Sequence, residues 1–161
     1  SVPLIEKALQ DAGIFSKKVL AYALATTQHE TANAFAPVNE GNYNDQKYGY
    51  EPGFTGKSEA RKRGYDGGEN YYGRGFVQLT GKSNYASMGK KIGVDLVKNP
   101  EKANDPEIAA KILAIYMKDR GTAKLVNEGK VVEARKTINN DNKGKMIRDT
   151  ADKYYRSFMG M

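Results

Sequence analysis

Hydrophobic positions recur at helical spacing over most of this 161-residue chain and lose that spacing in one long stretch. Val2 to Gln10 reads as a short amphipathic helix with Pro3 in its first turn, where a proline costs nothing. Asp11-Ala12-Gly13 ends it. Ser16 is placed to cap a second helix running to about Glu30. The middle of that helix, VLAYALA from Val19 to Ala25, is apolar all the way round, which predicts burial on every side. Further helices are predicted over Ser83 to Ile92, Pro106 to Arg120, Lys130 to Ile138 and Lys145 to Met159. Ile108, Ile112 and Ile115 form one apolar stripe, with Leu113 and Tyr116 beside it. Ile147, Ala151, Tyr154 and Phe158 form another, and both stripes read as core.

Between Thr31 and Gly75 no helical period persists, apart from a turn at Ser58–Lys62. That segment holds nine glycines and six tyrosines among many Asn, Asp and Lys. A structureless loop of this length is uncommon inside a compact domain. Its tyrosines, with Phe35 and Phe54, argue against disorder. The expectation is a second lobe, 31–75, of short strands and turns within a single domain spanning 1–161. No repeat, low-complexity tail or Pro/Gly linker divides the chain.

Composition narrows the chemistry. Cysteine is absent, so a disulfide framework and a thiol nucleophile are both excluded. The net charge of +7 predicts attraction to an anionic partner: nucleic acid, a membrane surface or a cell-wall polymer. The N-terminal stretch lacks a basic region followed by a long apolar run, so no signal peptide is expected there. No stretch reaches the roughly 18 apolar residues of a spanning helix, and no stable membrane insertion is expected. Action outside the cytoplasm would then need release by another agent, unless a leader has been trimmed away.

Several catalytic classes fail on residues. The single histidine, His29, opens "HETAN", which has Asn33 where the zinc motif H-E-x-x-H needs its second histidine, so no metal site is expected from it. No serine sits in G-x-S-x-G. Gly81-Lys82-Ser83 resembles the end of a phosphate loop, but Phe76 stands where the first glycine belongs. Carboxylate chemistry remains. Glycoside hydrolysis needs one carboxylic acid to protonate the leaving oxygen and a second carboxylate as nucleophile or base. Glu30 stacks on one helix face with Ala23 and Thr27. The desolvated, negative end of a buried helix suits an acid. Glu40 lies ten residues on, past Pro37, in a polar loop that suits an ionised group. Spacing alone leaves Glu51, Glu59 and Glu69 equally eligible as the second carboxylate, and leaves Glu30 a helix-end charge paired with a lysine.

The combination of "HET" at the end of that helix with "YYGRGFVQLTGKSNY" (Tyr71–Tyr85) resembles glycoside hydrolase family 19, which includes chitinases and many bacteriophage endolysins. The resemblance runs from the first helices through "TINN" (Thr137–Asn140), and "HETANAFAPVNE" is closest to the phage branch. It implies a mainly α, lysozyme-like fold with two lobes, a small irregular β-containing lobe and a central cleft. It implies inverting hydrolysis of β-1,4-linked N-acetylhexosamine polymers without a cofactor. Glu30 matches the general acid, Glu40 the second acidic residue of the phage branch, and Thr80 the hydroxyl that helps hold the attacking water. Tyr72, Arg74, Gln78, Asn84 and Asn139 match substrate-binding or cleft-lining positions, and His29 a supporting position beside the acid. Ser83 replaces the family's tyrosine, and Asn140-Asp141 replaces a glycine pair. The family's arginine before the last-helix "YY" has no counterpart directly before Tyr154-Tyr155; Arg148 and Lys153 stand nearest.

The expected function is therefore an endolysin-type lysozyme, monomeric, acting on peptidoglycan glycan strands. It would be made in a host cytoplasm and reach the cell wall through a phage pore. A chitinase on the same scaffold is the first alternative. A non-catalytic glycan- or nucleic-acid-binding module, using tyrosines interleaved with lysines, is the second. No known nucleic-acid motif appears, so no nucleic-acid partner is expected.

Overall fold

The computed structural model describes residues 2–31, 38–39 and 69–161. Helix α1 spans Val2–Asp11 and α2 spans Lys17–Glu30. Strand β1 (Val38–Asn39) pairs antiparallel with β2 (Arg74–Gly75), and a 3-10 turn at Glu69–Tyr71 precedes β2. Helix α3 follows at Lys82–Ile92, then a 3-10 turn at Pro100–Asn104. Helices α4 (Pro106–Asp119), α5 (Thr122–Asn127), α6 (Val131–Ile138) and α7 (Gly144–Phe158) complete the chain. The protein is mainly helical, with the two short strands as the only sheet among the described residues.

Local chemistry accounts for the boundaries. Ser16 accepts the Val19 amide at 3.0 Å and opens α2, as its side chain predicts. Asp105 does the same for α4, accepting from the Glu107 and Ile108 amides ahead of Pro106. At the far end of α2, the Thr31 hydroxyl donates to the Thr27 carbonyl at 2.6 Å, satisfying a group the helix leaves open. Every residue from Val19 to Thr27 is buried, so the all-round apolar pattern does mark a central helix.

Two hydrophobic clusters organise the packing. The larger surrounds α2, with Ile5 and Leu9 of α1, Leu113 and Met117 of α4, Ala134 of α6, and Ile147 and Ala151 of α7. The smaller gathers Leu79, Tyr85, Met88, Leu96 and Ala103 around Ile112 of α4. Helix α4 is thus a shared wall: adjacent residues Ile112 and Leu113 belong to different clusters. Close crossings fix the rest. A Cβ on Gly144 would stand 2.9 Å from the Val132 carbonyl oxygen, so only glycine lets α7 begin so near α6.

Candidate active site

Glu30 is the last residue of α2, and its side chain is 16% exposed. Its carboxylate meets a guanidinium that the sequence reading did not single out. Arg135 of α6 is 1% exposed and places Nη1 2.8 Å from Glu30 Oε1. That contact is a close ion pair. Two further bonds go to Asp141, just beyond α6: Nε donates to Oδ1 at 3.1 Å and Nη2 to Oδ2 at 2.7 Å, a fork-to-fork pair. Burial pulls the Arg135 guanidinium down, but the Asp141 hydrogen bonds and the Glu30 charge together raise it above its ordinary value. The same hydrogen bonds from Arg135 hold Asp141 below the usual carboxylate range; its bond from the Lys143 amide acts in the same direction. His29 lies half-buried in the last turn of α2, one residue before Glu30.

A signal for Arg135 was present. It lies four residues after Val131 and three before Ile138, on the apolar side of a short helix. A charge at such a position needs a partner. Arg148, one of the two basic residues nearest the family position, instead pairs with Asp149 at the surface.

The Tyr71–Tyr85 block builds a second group. Backbone bonds join Arg74 and Leu79 in both directions and close a tight turn. Within it Gln78 takes φ +53°, uncommon for a residue with a side chain and a form of strain that gathers at functional sites. Gln78 Nε2 donates to the Gly75 carbonyl at 2.9 Å. Asn84 Nδ2 donates to the Thr80 carbonyl at 2.9 Å, so Asn84 ties the start of α3 to the residue proposed to hold water. Gln78, Thr80 and Asn84 line one pocket of about 140 Å³, with Tyr116 and Arg120 of the α4 end across from them. Burial raises the Tyr116 phenol; Arg120 opposes that shift and the Glu30 charge adds to it. Arg120 lies over the Tyr116 ring at 4.1 Å and reaches the Thr137 carbonyl, two residues before Asn139. Asn139 ends α6 as its exposed C-cap residue and is not part of the pocket lining.

Arg74 and Tyr72 stand apart from that pocket. Arg74 is 6% exposed, donates to the Asn70 carbonyl (2.9 Å) and the Tyr85 hydroxyl (3.0 Å), and lies over the Tyr72 ring at 3.7 Å. Gly75 next to it has φ +85°, and a Cβ there would meet the Ala103 carbonyl oxygen at 2.9 Å. Its amide donates to Asn104 Oδ1. In the "GRG" segment, then, the glycine permits a close crossing and the arginine braces it from within. Glu40, and the alternatives Glu51 and Glu59, lie outside the described residues. Among the described residues no group of acidic, histidine or cysteine side chains is arranged to hold a metal, and no helix is long and apolar enough to cross a membrane.

Glu30 at the end of a buried helix, paired with Arg135, and a pocket lined with amide and hydroxyl groups are the two parts of the candidate site. The family profile of glycoside hydrolase family 19, chitinase class I, matches residues 7–143, and the chain belongs to that family. An endochitinase of Brassica napus is 36% identical over 102 residues, covering 59% of this chain and 31% of the relative. A basic endochitinase of Vitis vinifera is 38% identical over 91 residues, covering 53% and 28%. The matched stretch thus spans only about a third of the length of these relatives. Among solved structures, a bacterial family 19 chitinase superimposes with a TM-score of 0.64 at 22% identity, covering 96% of this chain and 83% of that one. Chitinase C of Streptomyces griseus gives 0.56 at 24% identity, covering 96% and 68%. At these identities the structures establish the shared lysozyme-like fold.

Proposed function

We propose that this protein is an inverting glycosidase that cleaves β-1,4 bonds between N-acetylated amino sugars of bacterial peptidoglycan, in the manner of a phage endolysin. The observation that carries the reading is the Glu30–Arg135–Asp141 cluster at the end of the buried helix. Glu30 serves as general acid. When it carries its proton, Arg135 is still paired through Asp141, so neither state of the acid strands a buried charge. Glu40 takes the proton of the attacking water, and Thr80 helps to hold that water. Gln78 and Asn84 receive the acetamido and hydroxyl groups of the sugar.

Peptidoglycan is favoured over chitin by charge. Chitin is neutral, whereas the peptide stems of the cell wall carry carboxylates. The chain carries +7, and the pocket that holds Thr80 and Asn84 includes the exposed Arg120. A chitinase is the second reading, favoured by the similarity to endochitinases. The test is turbidity loss of permeabilised Gram-negative cells, with analysis of purified peptidoglycan products. New reducing sugar ends are expected, and Glu30→Gln abolishes them in a folded protein. Release from chitin oligomers but not from peptidoglycan would decide for the chitinase. New free amino groups without reducing ends would overturn the glycosidase reading.

A further inference from the structure

The pocket that holds Gln78, Thr80 and Asn84 also holds three charged side chains: Lys91 of α3, and Asp119 and Arg120 at the end of α4. They are not equivalent. Lys91 Nζ stands 2.6 Å from Asp119 Oδ2, so these two charges cancel within the pocket. Arg120 is the cation left over, and among the described residues no carboxylate lies within ion-pair distance of it. Its guanidinium lies 4.1 Å from the centroid of the Tyr116 ring, and Nη1 makes one long contact, 3.5 Å, to the Thr137 carbonyl. A guanidinium carries several N–H donors in one plane. The ring face fixes that plane without occupying its edge. An exposed cation with donors to spare thus stands in the wall of a cavity of about 140 Å³, among the amide and hydroxyl groups that the proposed function gives to the sugar.

Resting on that reading of the pocket, we propose that Arg120 is a specificity residue: it binds a carboxylate carried by the substrate strand, beside the sugar that Gln78 and Asn84 hold. The planar fork of a guanidinium matches the two oxygens of a carboxylate. A neutral polymer of N-acetylated sugars offers it no such partner. In a peptidoglycan strand the carboxylate has two sources, the lactyl group of the muramic sugar and the peptide stem. Lys91 and Asp119 together add no net charge, so among the residues lining this pocket the preference for a charged strand rests on Arg120. Removing the negative partner of Lys91 would release a second cation into the same pocket.

The test is calorimetric binding of soluble peptidoglycan fragments to the Glu30→Gln protein, which leaves them uncut. Each fragment is compared with a copy whose carboxylates have been converted to amides. The charged fragment should bind about tenfold tighter, the worth of one charge-assisted hydrogen bond at an exposed site. Adding Arg120→Gln should bring that ratio to about one. Arg120→Lys, which keeps the charge without the fork, should retain part of it. Asp119→Asn, which releases Lys91, should raise it. Strands stripped of their stems by an amidase locate the group: a ratio that survives assigns the lactyl carboxylate, and one that vanishes assigns the stem. A ratio near one before Arg120 is changed overturns the proposal. So does an Arg120→Gln variant that weakens charged and amidated fragments equally, which is the effect of a mere brace between the end of α4 and Thr137. The two readings fail separately. An active Glu30→Gln variant sinks the acid, and the ratio is then read from KM. Tight binding of chitin oligomers with no preference for charge sinks the carboxylate site and leaves the glycosidase standing.

Discussion

Two arginines are buried in the described parts of this protein, and they are held in opposite ways. Arg135 is neutralised by charge, through a two-point pair with Asp141 and a side contact to Glu30. Arg74 has no carboxylate within ion-pair distance among the described residues. A carbonyl, a phenol hydroxyl and the faces of Tyr72 and Tyr85 surround it instead. Dipoles and ring faces make a fixed cradle, suited to bracing a turn. A pair of carboxylates makes an adjustable one, because a proton on one of them changes the balance while the other keeps its partner. The contrast separates a cation that braces a turn from one that, on the proposed function, serves the acid.

The largest effect that would sharpen the contrast is on activity. Glu30→Gln should lower kcat by about 10²–10⁴-fold, the usual contribution of a general acid, with little change in Tm. Removing its partner comes next. Arg135→Met leaves two carboxylates without their cation, a loss on the order of 3–5 kcal/mol in unfolding free energy, read by denaturant titration. Arg135→Lys keeps the charge but loses the fork, and should cut kcat more than stability.

Arg74→Lys should do the reverse. It gives up the bonds to the Asn70 carbonyl and to the Tyr85 hydroxyl, which keeps its own bond to the Tyr72 carbonyl; the change costs about 1–3 kcal/mol and leaves kcat of the folded fraction within about twofold. A large rise in KM in that variant would break the comparison, because Arg74 would then be reading substrate. Gly75→Ala should cost about 1–2 kcal/mol from the left-handed backbone alone, with the Ala103 contact adding to it. The smallest effect concerns pH. Asp141 is held below the usual carboxylate range, so its contribution to stability is present above its unfolded value and is lost as pH falls through its folded value. Tm curves of the parent and Asp141→Asn should therefore differ near neutrality and converge below about pH 4.

The longer helices were legible because their apolar positions repeat over eight residues or more. Ser16 and Asp105 even mark where α2 and α4 start. Helix α5 and the turn at Pro100–Asn104 were not predicted, since five or six residues are too few to establish a period. The candidate site divides in the same way. Glu30, Gln78, Thr80 and Asn84 sit in recognisable motifs. Arg135 does not, because its importance comes from a contact across more than a hundred residues of chain. Helical spacing shows that position 135 faces inward; only the fold shows which carboxylates wait there. The left-handed backbone at Gln78 was equally hidden, being imposed by the Arg74–Leu79 bridge.

Helix α7 carries one more consequence. The family match ends at residue 143, and Gly144 starts the helix. Yet Ile147 and Ala151 complete the cluster around α2, and the Tyr154 hydroxyl donates to Gln28 Oε1 at 2.6 Å, two residues from the acid. A stretch beyond the profile match thus closes the shell around α2. Anyone trimming this protein to its recognisable portion would cut through the folding unit and expose the back of α2 to solvent.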